Sequence, residues 1–173
     1  LMDGVQCGHF RTGRFQSFQR ILENLEPGTR NPEQSHPDGI SMAKSLGGGF
    51  PMGAFWVRAP HADLLSAGSH GTTYGGSPLA CAVGLKNLEL MEREEFPKRA
   101  RELGQRLLEG LKTLKEFGFV GDVRGLGLVC GVEIVSNKET KTADPAMAMK
   151  IFKAAQAHGL RSRSLGNTLA FSP

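Results

Sequence analysis

Three stretches in the first half of the chain carry residue types that can do chemistry. Asp3 ends an apolar run, and Lys44 lies in an apolar segment directly before the three glycines 47–49. The stretch from His70 to Pro78 is rich in glycine and hydroxyl groups, and a helix is predicted to follow it. Strand ends and helix starts are where α/β folds place their ligands. Together the three stretches offer an amine, a carboxylate and a seat for an anion.

Each stretch taken alone also fits a purely structural interpretation. Lys44 could be a surface lysine whose aliphatic stem lies along apolar neighbours. Asp3 could be a turn residue at the end of a strand, and Thr73 could stand at the start of a helix. The three glycines match neither G-x-x-x-x-G-K-[ST] nor G-x-G-x-x-G, so no nucleotide fingerprint is indicated. The combination is more specific. It suits pyridoxal 5′-phosphate, which needs a lysine amine, a carboxylate beside its ring nitrogen and donors for its phosphate.

The spacing of apolar residues predicts the elements that position these groups. Strands are expected at 1–5, 39–43 and 55–57, and a helix from Pro78 that is apolar around most of its surface and therefore mostly buried. A helix with one apolar face begins near Pro97. Alternating apolar positions predict one strand over 126–134, Asp144-Pro145 begins a helix, and 169–171 form a last strand. We predict an α/β fold with two domains, residues 1–95 and 96–173.

Composition narrows the class of protein. The 173 residues carry a net charge of +4 without a basic stripe, which argues against nucleic-acid binding and suits small anionic molecules. No apolar run approaches the roughly 20 residues that span a bilayer. The three cysteines are far apart and contain no C-x-x-C pair, so neither a zinc site nor disulfides are indicated, and a reducing cytoplasm is expected. Because both ends fall within predicted strands, we interpret the chain as a piece of a longer protein.

Four motifs resemble those of class III aminotransferases. The family signature D-E-V-Q-x-G…G-R-T-G is similar to Asp3-Gly-Val-Gln-Cys-Gly8 followed by Arg11-Thr-Gly13. The family's cofactor-lysine segment looks like Ala43-Lys-Ser-Leu-Gly-Gly-Gly-Phe-Pro-Met-Gly-Ala54. The form found in acetylornithine aminotransferases resembles His70-Gly-Thr-Thr-Tyr-Gly-Gly-Ser-Pro-Leu-Ala-Cys-Ala82. The family's small-domain strand is similar to Val123-Arg-Gly-Leu-Gly-Leu128.

The resemblance implies a fold and a role for each matching residue. The fold would be that of a fold-type I pyridoxal-phosphate-dependent transferase, with part of the large domain in 1–95 and most of the small C-terminal α+β domain in 96–173. Lys44 would bond covalently to the cofactor aldehyde and shuttle a proton, and Asp3 would pair with the ring nitrogen. Val5 would pack under the ring, and Gln6 would reach its phenolic oxygen. Thr73 would donate to the phosphate of the neighbouring subunit, so a homodimer is implied.

The chain also departs from the family pattern. Gly4 stands where the family usually has Glu, and Ser77 stands where it usually has Asn. The upstream half of the family, which carries the main phosphate cup and the aromatic residue that stacks on the ring, is not part of the sequence. We therefore expect the isolated chain to bind the cofactor poorly and to be inactive, and a non-catalytic piece stays open as a different class of function.

The tail leaves the substrate open. Acetylornithine and ornithine enzymes usually carry an Arg before the Phe of the last strand, where this chain has Ala170. The segment from Leu160 to Pro173 instead resembles ω-amine:pyruvate transaminases, in which an Arg at the position of Arg163 binds the keto acid's carboxylate. We expect an acetylornithine-type ω-amino donor with a 2-oxo acid such as 2-oxoglutarate as acceptor. An ω-amine or ω-amino acid:pyruvate transaminase is the alternative.

Overall fold

The computed structural model describes residues 1–23 and 36–173. The chain divides into two compact units, Leu1–Pro97 and Lys98–Pro173, and each is described by itself. Among the described residues, no helix combines the length and the apolar character needed to cross a membrane.

A small mixed sheet organises the first unit. Its strands are β1 (Met2–Asp3), β2 (Gly39–Met42) and β3 (Ala54–Val57), in the order β1-β2-β3. Strand β1 runs parallel to β2, with Asp3 paired to Ser41, and β3 runs antiparallel to β2. Helix α1 (Ser17–Glu23) lies in the connection between β1 and β2. Because β1 and β2 are parallel, their carboxyl ends meet at one edge of the sheet. The turn that follows Asp3 and the segment that carries Lys44 both begin at this edge.

Helix α2 (Pro78–Arg93) is less buried than its sequence predicts. It begins where expected: Pro78 occupies its first turn, and the Ala80 N–H donates to the Ser77 hydroxyl at 3.4 Å. Its buried residues are Gly84 and Met91, whereas Leu79 and Leu85 are each 63% exposed. The expectation of a mostly buried helix was therefore wrong for this chain. The apolar composition of a helix indicates that it can be buried. It does not show whether other residues of the same chain pack against the helix.

The second unit packs two helices on an antiparallel sheet. Helix α3 (Phe96–Lys112) crosses from the first unit into it, and α4 (Pro145–Ala157) lies between β6 (Thr142–Ala143) and the last two strands. The sheet order is β4-β5-β8-β7, with β6 paired to β5. Its strands are β4 (Val120–Leu126), β5 (Val129–Asn137), β7 (Arg163–Leu165) and β8 (Thr168–Phe171). The buried core comprises Val120, Val123, Val132, Ile134, Ala148 and Leu169.

The single strand predicted over 126–134 is a hairpin. Strand β4 ends at Leu126, Gly127 turns with a φ of 56°, and β5 begins at Val129. In the hairpin register Leu126 lies opposite Val129, so Leu126 and Cys130 face opposite sides of the sheet. The prediction therefore merged two strands into one, although a turn with positive φ separates them. Alternation of apolar residues alone does not mark a turn.

Candidate active site

The lysine segment follows β2 directly. Lys44 opens a 3₁₀ helix that ends at Leu46, and it has a φ of 49°. Positive φ is uncommon for a residue with a side chain, so the surrounding structure must hold it. The Gly47 N–H donates to the Lys44 carbonyl at 3.1 Å. The Nδ2 of Asn87, on α2, donates to the carbonyls of Ser45 at 2.5 Å and Leu46 at 3.0 Å.

The Lys44 amine meets Gln6 across the edge of the sheet. Its Nζ donates to the Oε1 of Gln6 at 2.6 Å, and both side chains are exposed. Gln6 lies in the turn that follows β1. The structure thus brings together two predicted site residues that the sequence separates by the whole connection between the strands.

The Asp3 carboxylate lies at the same edge. Its Oδ1 accepts a hydrogen bond from the Val5 N–H at 2.9 Å and a longer one from the Ser41 hydroxyl at 3.5 Å. Val5 itself is half-buried. An amine, an amide oxygen and a carboxylate therefore project from the carboxyl ends of two neighbouring parallel strands, where open α/β sheets bind ligands.

A buried histidine lies beside the lysine segment. His9 is 3% exposed, and its Nδ1 lies 3.3 Å from the hydroxyl of Ser45, the residue after Lys44. Phe15 packs edge-on against the imidazole at 5.5 Å between ring centroids. Burial lowers the pKa of His9 below its ordinary value, which favours the neutral ring. A neutral imidazole can accept a hydrogen bond from Ser45 without adding a positive charge beside the lysine.

The sequence predicted no role for three residues: His9 and Gln16, which are buried, and Asn87, which is half-buried. Asn87 had a usable signal, since it is an amide within a mostly apolar helix between Leu85 and Leu88. A half-buried amide of this kind needs hydrogen-bond partners, and the partners here are backbone carbonyls of the lysine segment. His9 and Gln16 carried no such signal because they lie in a polar, glycine-punctuated stretch.

Thr73 and Arg163 are the remaining predicted site residues. Thr73 is exposed in the turn before α2, and among the residues described no hydrogen bond joins it to Asp3, Gln6 or Lys44. Arg163 belongs to the second unit, where it is exposed on β7.

Arg163 lines a cavity of the second unit. It pairs with Ala170 of β8, so the two side chains share one face of the sheet. Around them is a cavity of about 300 Å³ that Arg161 and Pro173 also line. A small alanine opposite the arginine leaves space for a guanidinium to turn toward a carboxylate.

The whole chain matches a family model. The model is described as aminotransferase class-III, and it covers residues 1–173. The chain belongs to the class III aminotransferase family. The family uses pyridoxal phosphate as its cofactor. The carboxylate of Asp3, the amine of Lys44 and the amide of Gln6 are the kinds of group that this cofactor requires around it.

Individual relatives support the assignment to class III aminotransferases. The mitochondrial acetylornithine aminotransferase of Eremothecium gossypii is 40% identical over 134 residues, which is 77% of this chain and 29% of that protein. The 5-aminovalerate aminotransferase of Pseudomonas putida is 35% identical over 167 residues, or 96% of this chain and 36% of that protein. The chain therefore spans about a third of the length of the relatives it matches.

Solved structures agree on the fold. The ω-transaminase of Pseudomonas jessenii, solved in complex with PMP, superposes with a TM-score of 0.84 at 30% identity. The match covers 99% of this chain and 38% of that one. The predicted α/β class, as part of a fold-type I pyridoxal-phosphate-dependent transferase, is thereby confirmed.

Proposed function

We propose that the full-length protein transfers an amino group from an ω-amino donor of the acetylornithine type to a 2-oxo acid such as 2-oxoglutarate. The observation that carries the proposal is the 2.6 Å contact between Lys44 Nζ and Gln6 Oε1. It lies at the edge of the sheet where β1 and β2 end, and Asp3 lies at the same edge. A relative named acetylornithine aminotransferase and another named 5-aminovalerate aminotransferase support the donor class. An acetylornithine donor would place the protein in arginine biosynthesis.

Each predicted site residue of this chain would have its own role in the reaction. When bound, pyridoxal phosphate supplies an electron sink for the charge that develops at the donor carbon. Lys44 would hold the cofactor aldehyde through its amine, with loss of water, and would be freed when the donor amine takes its place. The released Lys44 nitrogen would then carry the transferred proton. The Asp3 carboxylate would stabilise a proton on the ring nitrogen, and Gln6 would hydrogen-bond the phenolic oxygen. Val5 would support the ring from below.

A second function is favoured by the pairing of Arg163 with Ala170. Since β8 lacks an arginine at position 170, the carboxylate clamp would come from the neighbouring strand, as in ω-amine or ω-amino acid:pyruvate transaminases. The solved ω-transaminase relative points the same way. Turnover of amines that lack an α-carboxylate would favour this function, and strict dependence on acetylornithine would exclude it.

We further propose that the active form is a homodimer in which Thr73 serves the site of the neighbouring subunit. Several large apolar side chains flank Thr73 in the sequence and are exposed in the first unit, which supports an interface there: Leu64, Leu65, Tyr74, Leu79 and Leu85.

The free cysteines Cys7, Cys81 and Cys130 support a reducing compartment, which we propose to be the cytoplasm. The isolated chain, which spans a third of its relatives, is proposed to be non-catalytic.

The lysine assignment is tested in the full-length protein. Lys44→Ala is expected to abolish the visible absorption band of the bound cofactor and its covalent fixation by borohydride. Turnover should fall by at least about 10³-fold, since proton transfer alone contributes 10²–10⁴. The matched control is Lys86→Ala, which removes an exposed lysine of α2 paired to Glu89 and should leave both signals unchanged. A band that persists in Lys44→Ala would refute the proposed role of Lys44.

A further inference from the structure

The turn that carries Val5 and Gln6 is closed by backbone hydrogen bonds. The Gly8 N–H donates to the Gly4 carbonyl at 3.0 Å, and the Gly4 N–H donates to the Ser41 carbonyl of β2 at 2.9 Å. The turn is thus tied to itself and to the strand that leads to Lys44. We call residues 4–8 the glycine-bounded turn.

The side chain of Gln16 packs against both ends of this turn. A Cβ added to Gly4 would lie 2.5 Å from the Gln16 Oε1, and a Cβ added to Gly8 would lie 2.8 Å from the same atom. Real Cβ contacts are essentially never this short, so the amide occupies the space that a side chain at either position would enter. Gln16 is 2% exposed, which leaves it little room to move aside.

Packing, rather than hydrogen bonding, holds Gln16 against the turn. Neither its Nε2 nor its Oε1 has a hydrogen-bond partner among the residues that the structure describes. Its backbone is fixed independently, because the Gln16 N–H donates to the Gln19 Oε1 at 2.9 Å just before α1. A buried amide without hydrogen-bond partners costs free energy, so any contribution that the Gln16 side chain makes here comes from the volume it fills.

We propose that Gln16 is a positioning residue that clamps the glycine-bounded turn and so holds Gln6 opposite Lys44. The clamp also explains why position 4 is glycine: any side chain there would collide with the Gln16 amide. The link to Gln6 and the cofactor rests on the proposed function, whereas the clamp itself is a property of this chain's packing.

The clamp is tested first without cofactor, in the full-length protein, by hydrogen exchange of the peptide that contains residues 4–8. Gln16→Ala removes the packing and is expected to speed exchange of the Gly8 amide at least about tenfold. Gln16→Leu keeps most of the volume without the amide and is expected to exchange within about threefold of the unaltered protein. Unchanged exchange in Gln16→Ala, or equally fast exchange in both variants, would overturn the packing clamp.

A double-mutant cycle then tests the coupling to position 4. Gly4→Ala is expected to raise the dissociation constant for pyridoxal phosphate about tenfold, but only about threefold when Gln16→Ala is already present. The remaining penalty comes from the Ser41 backbone carbonyl, which would still lie 3.0 Å from the added Cβ. Gly8→Ala is the matched control, because its Cβ would also lie 2.6 Å from the Gly4 backbone carbonyl. Its penalty should therefore persist in both backgrounds. Equal penalties for Gly4→Ala with and without Gln16 would refute the coupling.

The two tests separate the clamp from the proposed function. Faster exchange in Gln16→Ala in a full-length protein that binds no pyridoxal phosphate would refute the proposed function and leave the clamp standing. Unchanged exchange in a protein that does bind the cofactor would refute the clamp and leave the function standing. A role confined to stability would lower the unfolding temperature of Gln16→Ala while leaving its cofactor affinity unchanged, which would overturn the positioning role.

Discussion

Asn87 is the residue through which α2 reaches the lysine segment. Its Nδ2 donates to two successive carbonyls, Ser45 at 2.5 Å and Leu46 at 3.0 Å. A Cβ added to Gly48 would lie 2.7 Å from its Oδ1, so the glycine is needed for the backbone to approach the amide this closely. Asn87 therefore fixes the backbone immediately after Lys44, which has a φ of 49°.

Replacing Asn87 is expected to affect both stability and cofactor binding. Asn87→Ala removes the amide donor from the Leu46 carbonyl and from the Ser45 carbonyl, which keeps only the Gly48 N–H at 3.2 Å. The free energy of unfolding of the full-length protein should therefore fall by about 1–3 kcal/mol. Because the lost bonds hold the lysine segment, the dissociation constant for pyridoxal phosphate should rise by about tenfold or more. Denaturant unfolding and fluorescence titration measure the two effects.

A second asparagine provides the matched control. Asn167 Nδ2 donates to the Ile134 carbonyl at 3.0 Å within the second unit. Asn167→Ala should lower stability by about 0.5–1.5 kcal/mol and leave cofactor affinity unchanged. Equal effects of the two variants on affinity would show that Asn87 acts only on overall stability.

At the residue scale, the sequence identified groups whose type is tied to their chemistry. Lys44, Asp3 and Gln6 stand in motifs, and the structure brings Lys44 and Gln6 into contact. Their catalytic roles stay predictions. The sequence predicted no role for Gln16, because its proposed role depends on the space that its side chain fills beside Gly4 and Gly8. That space exists only once the turn has folded.

At the scale of elements, local signals were more reliable than long patterns. Helix α4 begins as predicted, since Asp144 accepts a hydrogen bond from the Met147 N–H at 2.9 Å and Pro145 stands in the first turn. The hairpin β4–β5 was missed because the alternation of apolar residues continues in the sequence across its turn. A cap depends on a few adjacent residues, whereas strand pairing depends on which residues lie opposite one another.

Helix α3 packs closely on this hairpin through a glycine. A Cβ added to Gly104 would lie 2.3 Å from the carbonyl of Gly127, which is backbone and cannot rotate away. Gly104→Ala is therefore expected to lower the free energy of unfolding by about 1–3 kcal/mol, as overpacking does, despite alanine's better helix propensity. Thermal or denaturant unfolding of the full-length protein measures the change.

Gly110 of the same helix is the control for that prediction. It is exposed, and a Cβ there would meet no atom within 4 Å among the described residues. Gly110→Ala should raise the free energy of unfolding by up to about 1 kcal/mol through helix propensity alone. If Gly104→Ala stabilises the protein as Gly110→Ala does, the close approach of α3 to Gly127 is wrong.

At the scale of the whole molecule, the proposed dimer makes the site depend on two subunits. If Thr73 serves the neighbouring site, mixing Lys44→Ala with Thr73→Ala protein creates hybrid dimers with one intact site. Equal mixing followed by subunit exchange should then restore about a quarter of the unaltered activity, because half the dimers are hybrids and each has one working site. The measurement is transaminase activity before and after exchange.

The same mixture also tests the opposite arrangement. If Thr73 acted within its own subunit, every site in a hybrid would lack either Lys44 or Thr73, and mixing would restore nothing. Lys44→Ala mixed with Lys86→Ala is the control for loss of activity during the exchange procedure. Its activity should equal the share of Lys44-bearing subunits in either arrangement.

The contact between Gly104 and Gly127 sets a rule for recombining this protein with its relatives. A crossover inside α3 could take Gly104 from one parent and the hairpin from another, and a parent with a side chain at position 104 would force the two apart. Placing the junction between α2 and α3 lets one parent donate both partners. Chimeras built to exchange the Arg163 region between enzymes should therefore be joined there.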